Sequence, residues 1–194
     1  MESVSFEDMR RAMIDSQLRT SGVNDAWVLA EMGRLPREDY VPASHRSTAY
    51  MDRAIALPGG DVLNPPVATA LMLQAADVGT DDNALLIGTR HGYFATLLER
   101  RVTALTCVDA GHLTEAAKSA PFSLIIIDGA VEILPDDLLA LAADGARLVT
   151  GLVDGAATRL AKGYVHGGKV ALKSLIDSEI APLAAFARKQ EFVF

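Results

Sequence analysis

An α/β fold, with a mostly parallel sheet covered by helices on both faces, is predicted for this chain by two patterns. Short apolar runs alternate with amphipathic stretches through residues 79–194, which is how parallel strands and their crossover helices are spelled out in sequence. Half of the 194 residues are hydrophobic, enough for one sizeable core and too few residues for two domains. The expectation is therefore a single domain, residues 1–194, with a helical region at 1–78 and the sheet at 79–194.

The elements follow in chain order. Phe6, Met9, Met13 and Leu18 recur at helical spacing between Ser5 and Thr20, with Ser5 placed to cap and Gly22 to stop the helix. A second helix starts near Asn24 or Asp25, buries Val28, Met32 and Leu35, and ends before Pro36. Pro36 to Pro66, with Pro42, Pro58, Gly59 and Gly60 inside it, reads as irregular chain holding one short helix. A third helix spans Val67 to Ala76. Strands are then expected at Asn83–Ile87, Val102–Val108, Ser123–Ile127 and Ala146–Val153, and helices at Tyr93–Arg101, Leu113–Ser119 and Leu134–Ala143. Thr158–Val165 and Lys169–Ile176, joined by His166-Gly167-Gly168, form a C-terminal antiparallel hairpin, and Phe192-Val193-Phe194 a last edge strand.

Bulk properties exclude several function classes. A net charge of -7 and a pI near 5.0 disfavour nucleic acid and anionic lipid as partners. No apolar run approaches the ~18 to 20 residues of a membrane span, and Met1 to Ser5 lacks the basic-then-apolar pattern of a secretory signal, so a cytoplasmic address is expected. The one cysteine, Cys107, lies in an apolar run and reads as packing rather than as a nucleophile. His45, His112 and His166 have no metal-site spacing, and Trp27 and the methionines read as core.

Ligands of an open parallel sheet bind beyond the carboxyl ends of its strands. The first such end is Gly88-Thr89-Arg90-His91-Gly92, where glycines permit a sharp turn and the following helix offers free N–H groups. Asp128 closes the most apolar strand; it points to the same cleft or caps the strand exit. Asn64, ahead of Pro65, either hydrogen-bonds a carboxylate through its amide or serves the turn. Arg90 and His91 put positive charge at a helix start, where an anion of another kind is a further candidate ligand.

Several blocks bring these features under one pattern. Met13-Ile14-Asp15-Ser16-Gln17-Leu18-Arg19, Val28-Leu29-Ala30, Leu35-Pro36-Arg37-Glu38-Asp39-Tyr40-Val41-Pro42 and Ala49-Tyr50-Met51-Asp52-Arg53-Ala54 resemble, in order and spacing, the N-terminal region of protein-L-isoaspartate O-methyltransferases. Asp128-Gly129-Ala130-Val131-Glu132, Asp144 to Val149 and Glu191-Phe192-Val193-Phe194 resemble a bacterial branch of that family. The resemblance implies a Rossmann-like fold, S-adenosylmethionine as cofactor, and methyl transfer to the stray carboxyl of isoaspartate in a protein or peptide substrate. Cofactor contacts would fall on Gly88, Thr89, Arg90, His91, Gly92 and Asp109, and the catalytic positions on Asn64 and Asp128.

The chain also departs from the family. Arg90 stands at the middle glycine of its Gly-x-Gly-x-Gly loop, Leu86 where an acid is usual, and Asn64 where the substrate loop carries hydroxyls. Gly88 and Asp128 are 40 positions apart, room for one strand between them at ~30 residues per βαβ unit, so the fold is shortened by about one strand-helix unit. Val102–Asp109 is then either the strand whose acid, Asp109, grips the ribose, or the next one along, with Gly111 replacing an acid near the adenine. These departures motivate the alternative of a catalytically impaired descendant that keeps the frame as a binding or assembly module. The shortened sheet leaves an edge that a second copy would cover, making a homodimer.

Overall fold

The computed structural model describes residues 5–188, so the expected strand at Phe192–Phe194 lies outside the described residues. The helical region begins as its caps dictate. Ser5 Oγ accepts the Asp8 N–H at the start of α1 (Phe6–Met13), and Asp25 accepts the Trp27 and Val28 N–H groups at the start of α2 (Ala26–Arg34). The single helix expected over Ser5 to Thr20 divides in two. After Met13 the backbone widens into a π turn over Ile14–Leu18, which keeps both Ile14 and Leu18 buried.

Pro36 to Pro66 holds more structure than expected: 3₁₀ turns at Arg37–Tyr40, Ala43–Thr48 and Pro58–Gly60, and a small antiparallel pair, β1 (Ile55–Ala56) with β2 (Val62–Leu63). Gly59 and Gly60, both at positive φ, turn the chain between those two strands. Helix α3 (Pro66–Ala76) starts with Pro66 in its first turn, where a missing N–H costs nothing, and ends on Asp77 in the left-handed conformation.

The main sheet has seven strands in the order β4-β3-β5-β6-β7-β8, with β9 also paired to β7. Strands β3 (Asn83–Ile87), β4 (Ala104–Val108), β5 (Phe122–Val131) and β6 (Ala142–Asp154) are parallel. Strand β7 (Ala157–His166) runs back along β6 and carries β8 (Lys169–Val170) and β9 (Lys173–Asp177) antiparallel to it, as the expected hairpin. The Leu134–Ala143 helix shrinks to one turn, α5 (Asp136–Leu139), because Ala142 is drawn into the sheet opposite Phe122. Strand β4 is a sheet edge directly beside β3. With no second strand beyond it among the described residues, the shortened sheet is observed, and of the two positions left open for Val102–Asp109 the chain occupies the one adjoining β3.

Alternation along the strands divides the core. Ala84 and Leu86 of β3 and Leu124 and Ile126 of β5 pack with α1 to α4 on one face; Leu85, Ile87, Ile125 and Ile127 pack on the other. That second face is covered more thinly, by α5, the 3₁₀ turn Leu113–Ser119 and Phe186. Helix α4 (Tyr93–Glu99), between β3 and β4, lies on the first face; the turn between β4 and β5 lies on the second. Since β4 and β5 flank β3 on opposite sides, the chain reverses its winding at the carboxyl end of β3, and a crevice opens there. Leu85 is fully buried at the centre of the thin face. Leu85→Ala should lower unfolding free energy in urea by about 2 to 5 kcal/mol; a change within ~0.5 kcal/mol would mean that this face is not packed as described.

Candidate active site at the winding reversal

The crevice is set by strand register. Ile87 of β3 lies beside Ile127 of β5, so the residues that follow, Gly88 and Asp128, lie side by side. Strand β3 ends there, but β5, expected to stop at Ile127, runs on through an irregularity and pairs Ala130 and Val131 with β6, so Asp128 sits at a break in the ladder and not at the strand's end. A β-carbon at position 88 would sit 3.2 Å from Asp128 Cβ, so glycine is what lets the two strands approach here. At Gly92 the constraint is tighter: a β-carbon would lie 2.9 Å from the Thr89 carbonyl oxygen, inside the turn that leads to α4. The left-handed residue of this loop is His91, at φ 56°, and not Arg90. Arg90 therefore stands where a side chain is tolerated. Its guanidinium turns outward to pair with Glu115 and is half-exposed, so it forms the rim of the crevice without filling it.

Two adjoining cavities of about 420 and 230 Å³ share Asp61, Val62, Thr89 and Asp128. The larger runs past Tyr40, Leu57, Tyr93 and Phe94, with Asp39, Arg90 and His91 also on its wall. The smaller is bounded by Gly88, Asp109 and Ala181 to Ala184. Asp61 reaches it from the Gly59-Gly60 turn and accepts a hydrogen bond from Thr89 Oγ1 at 3.0 Å. Asp109, just beyond β4, is one strand over from Gly88 at the same end of the sheet. Leu86, fully buried among apolar neighbours, brings nothing polar to the site.

Asn64 and Asp128 are in direct contact. Asn64 Nδ2 donates to Asp128 Oδ1 at 2.7 Å, while Asn64 Oδ1 accepts the Ala181 N–H at 2.8 Å. The Asn64 carbonyl accepts from Arg37 Nη2 at 2.5 Å, and Arg37 Nε donates to the Ala49 carbonyl at 2.8 Å. Asn64 and Arg37 have no exposed surface, and the Arg37 guanidinium stacks 5.0 Å from the Tyr93 ring. Asn64 is thus engaged within the protein, behind Asp128 and not at the cavity surface. Burial pushes the Asp128 carboxyl from 3.8 up to about 6, against the opposing pull of Asn64 and of the Arg37 charge; Asp61 adds to the rise. Burial likewise pushes the Cys107 thiol up to about 11, which suits packing and not reactivity.

All of the sequence-predicted residues except Asn64 line this crevice. Asp61, Arg37, Tyr40 and Tyr93 were not foreseen. The Pro-Gly-Gly-Asp run marks a tight turn, but nothing in it says which way the turn faces. Among the described residues no cluster of His, Cys, Asp and Glu is arranged to hold a metal ion, and no helix is long and apolar enough to cross a membrane.

S-adenosylmethionine carries a sulfonium, an ammonium and a ribose diol beside its one carboxylate. The smaller cavity presents Asp61, Asp109 and Asp128 and no basic residue, a lining that suits cationic and hydroxyl-rich surface. The residues present therefore fit the group. A raised carboxyl binds its proton more tightly in the native chain than in the unfolded one, so the stability it contributes is full below about pH 4 and is lost as pH rises through about 6. Asp128→Asn should be more stable than the parent at pH 7 by about 2 to 3 kcal/mol, a gap that closes toward pH 4 in urea titrations; an equal gap at both would exclude a raised carboxyl.

Comparison with known proteins bears on the family and the fold. The family model described as protein-L-isoaspartate(D-aspartate) O-methyltransferase matches residues 8–117. A protein-L-isoaspartate O-methyltransferase of Koribacter versatilis is 31% identical, with 90% of each chain covered. Another from Roseiflexus castenholzii is 30% identical over 93% of this chain and 94% of the relative. A Plasmodium falciparum structure described as a protein-L-isoaspartate O-methyltransferase in complex with S-adenosyl-L-homocysteine superposes with a TM-score of 0.74 at 15% identity, over 91% of this chain and 98% of that one.

Proposed function

The chain belongs to the protein-L-isoaspartate O-methyltransferase family, and on that footing we propose that it methylates the stray carboxyl of isoaspartate in proteins. The observation that carries this reading is the crevice at the winding reversal, where the Gly88 turn, Asp109 and Asp128 line the smaller of two adjoining cavities. In the transfer an acceptor carboxylate oxygen forms the new C–O bond as the S–CH₃ bond breaks and its electron pair stays on sulfur, the methyl being supplied by S-adenosylmethionine.

Such a displacement asks the protein for alignment and a dry site more than for acid or base. Gly88, Thr89 and Gly92 would hold the cofactor against the loop backbone, and Asp109 would accept from its ribose hydroxyls. Asp61 would face its positive charge, supplying the carboxylate that Leu86 does not. His91 and Arg90 lie on the rim toward solvent. Asn64 acts on the reaction through Asp128, and Arg37 through Asn64. The larger cavity, walled by Tyr40, Leu57, Tyr93 and Phe94, would receive the acceptor peptide. The reading extends to a homodimer: no described strand pairs with the outer edge of β4, and a second copy could cover it.

An isoaspartyl peptide incubated with methyl-labelled cofactor should acquire a base-labile methyl ester, and an aspartyl peptide should not; no incorporation by a folded sample would sink the proposal. Asp109→Ala should weaken S-adenosylhomocysteine binding in calorimetry by about tenfold or more, as expected for losing a charge-assisted hydrogen bond. Solution scattering should report twice the chain mass, and a monomer would remove the dimer from the reading.

A further inference from the structure

The two oxygens of Asp128 have different surroundings. Oδ1 accepts from the buried amide of Asn64. Oδ2 has no hydrogen-bond partner among the described residues and lies 3.8 Å from where a β-carbon of residue 88 would be, on the boundary shared by both cavities. A bare carboxylate oxygen in that place repels an incoming carboxylate. A protonated one donates to it.

We infer that Asp128 in its protonated form receives the acceptor: its Oδ2–H donates to one oxygen of the isoaspartyl carboxylate, leaving the other oxygen to attack, so that the two carboxyl groups share one proton. This rests on the proposed acceptor class and adds the residue that recognises it. The proton is not consumed, since it stays between the two groups during the transfer. Two carboxyl groups in contact cannot both ionise at low cost. The Asn64 bond fixes which oxygen is left for the acceptor.

The groups around Asp128 bear on its proton from several elements. Arg37, behind Asn64, and the Asn64 amide favour the ionised form; Asp61, across the cavity, favours the protonated one. Asp109 shares the smaller cavity, the negative charge of Asp128 is felt at the Cys107 thiol on β4, and Arg90, His91 and Asp39 sit on the wall of the larger cavity. The segment Ala181 to Ala184 adds no titratable side chain. Burial is the largest influence and holds the carboxyl at about 6, so the binding-competent form would be drained as pH rises through neutrality.

Asp128→Asn provides the test, because an amide reproduces the protonated acid: its oxygen can accept from Asn64 while its NH₂ takes the place of Oδ2–H. Binding of an isoaspartyl peptide to the S-adenosylhomocysteine-loaded protein, followed by calorimetry between about pH 5 and pH 8, should weaken in the parent chain by about tenfold per pH unit above its midpoint. In Asp128→Asn it should stay level. The same peptide with its acceptor carboxyl replaced by a primary amide should bind the parent chain without this pH dependence, a control that needs no variant. A level profile in the parent chain, or the same slope retained in Asp128→Asn, would overturn the inference and leave the proposed activity standing. No binding and no methylation at any pH would remove the acceptor class itself, and the inference with it.

Discussion

Asn64 is the residue through which the three parts of the molecule hold one another. Its backbone carbonyl takes the Arg37 guanidinium of the helical region, its amide nitrogen holds the Asp128 carboxyl on the central strand, and its amide oxygen takes the N–H of Ala181. An asparagine side chain with no exposed surface must satisfy both ends of its amide, and each unmet donor or acceptor would cost about 1 to 3 kcal/mol. That constraint ties the chain that follows β2 to the sheet. The floor of the cavity is therefore a hydrogen-bonded structure and does not depend on loop packing alone.

Charge explains why the crevice retains a coherent shape despite its departures from the family pattern. Leu86 removes an acid from the strand, yet Asp61 arrives from the Gly59-Gly60 turn and Asp128 from the neighbouring strand. Arg90 adds a cation to the loop, but Glu115 draws it outward, so the smaller cavity keeps its negative lining. The buried Arg37, with its counter-dipoles at Ala49 and Asn64 and the Tyr93 face, keeps Asp128 from rising further than it does.

The sequence made the sheet legible because parallel strands buried on both faces are continuous apolar runs, and Leu124 to Ile127 could hardly be anything else. Asp25 and Ser5 likewise announced their helices by cap chemistry. Other elements escaped, two of them for clear reasons. Ala142 and Ala143 have helical propensity, and only pairing with Phe122 makes them strand; that information is tertiary. The β1–β2 pair is too short for periodicity to register. In the site, Gly88 is visible as a strand end and Asp128 as the close of an apolar run, whereas for Asn64 the pattern leaves a bond to a carboxylate and a turn role both open. Its engagement depends on Ala181, a partner 117 positions away that no local pattern encodes.

That distance has a consequence during synthesis. Helices α1 to α4 and strands β3 to β5 all lie ahead of Ala181 in the chain and are synthesised before it. Ala181 to Ala184, which wall the smaller cavity and hydrogen-bond along Ala130, are synthesised after all of these elements. Without them the Asn64 amide oxygen lacks its partner and the smaller cavity lacks one wall. That cavity therefore cannot close until the chain has passed Ala184, well after its other walls at Asp61, Gly88, Asp109 and Asp128 have been made.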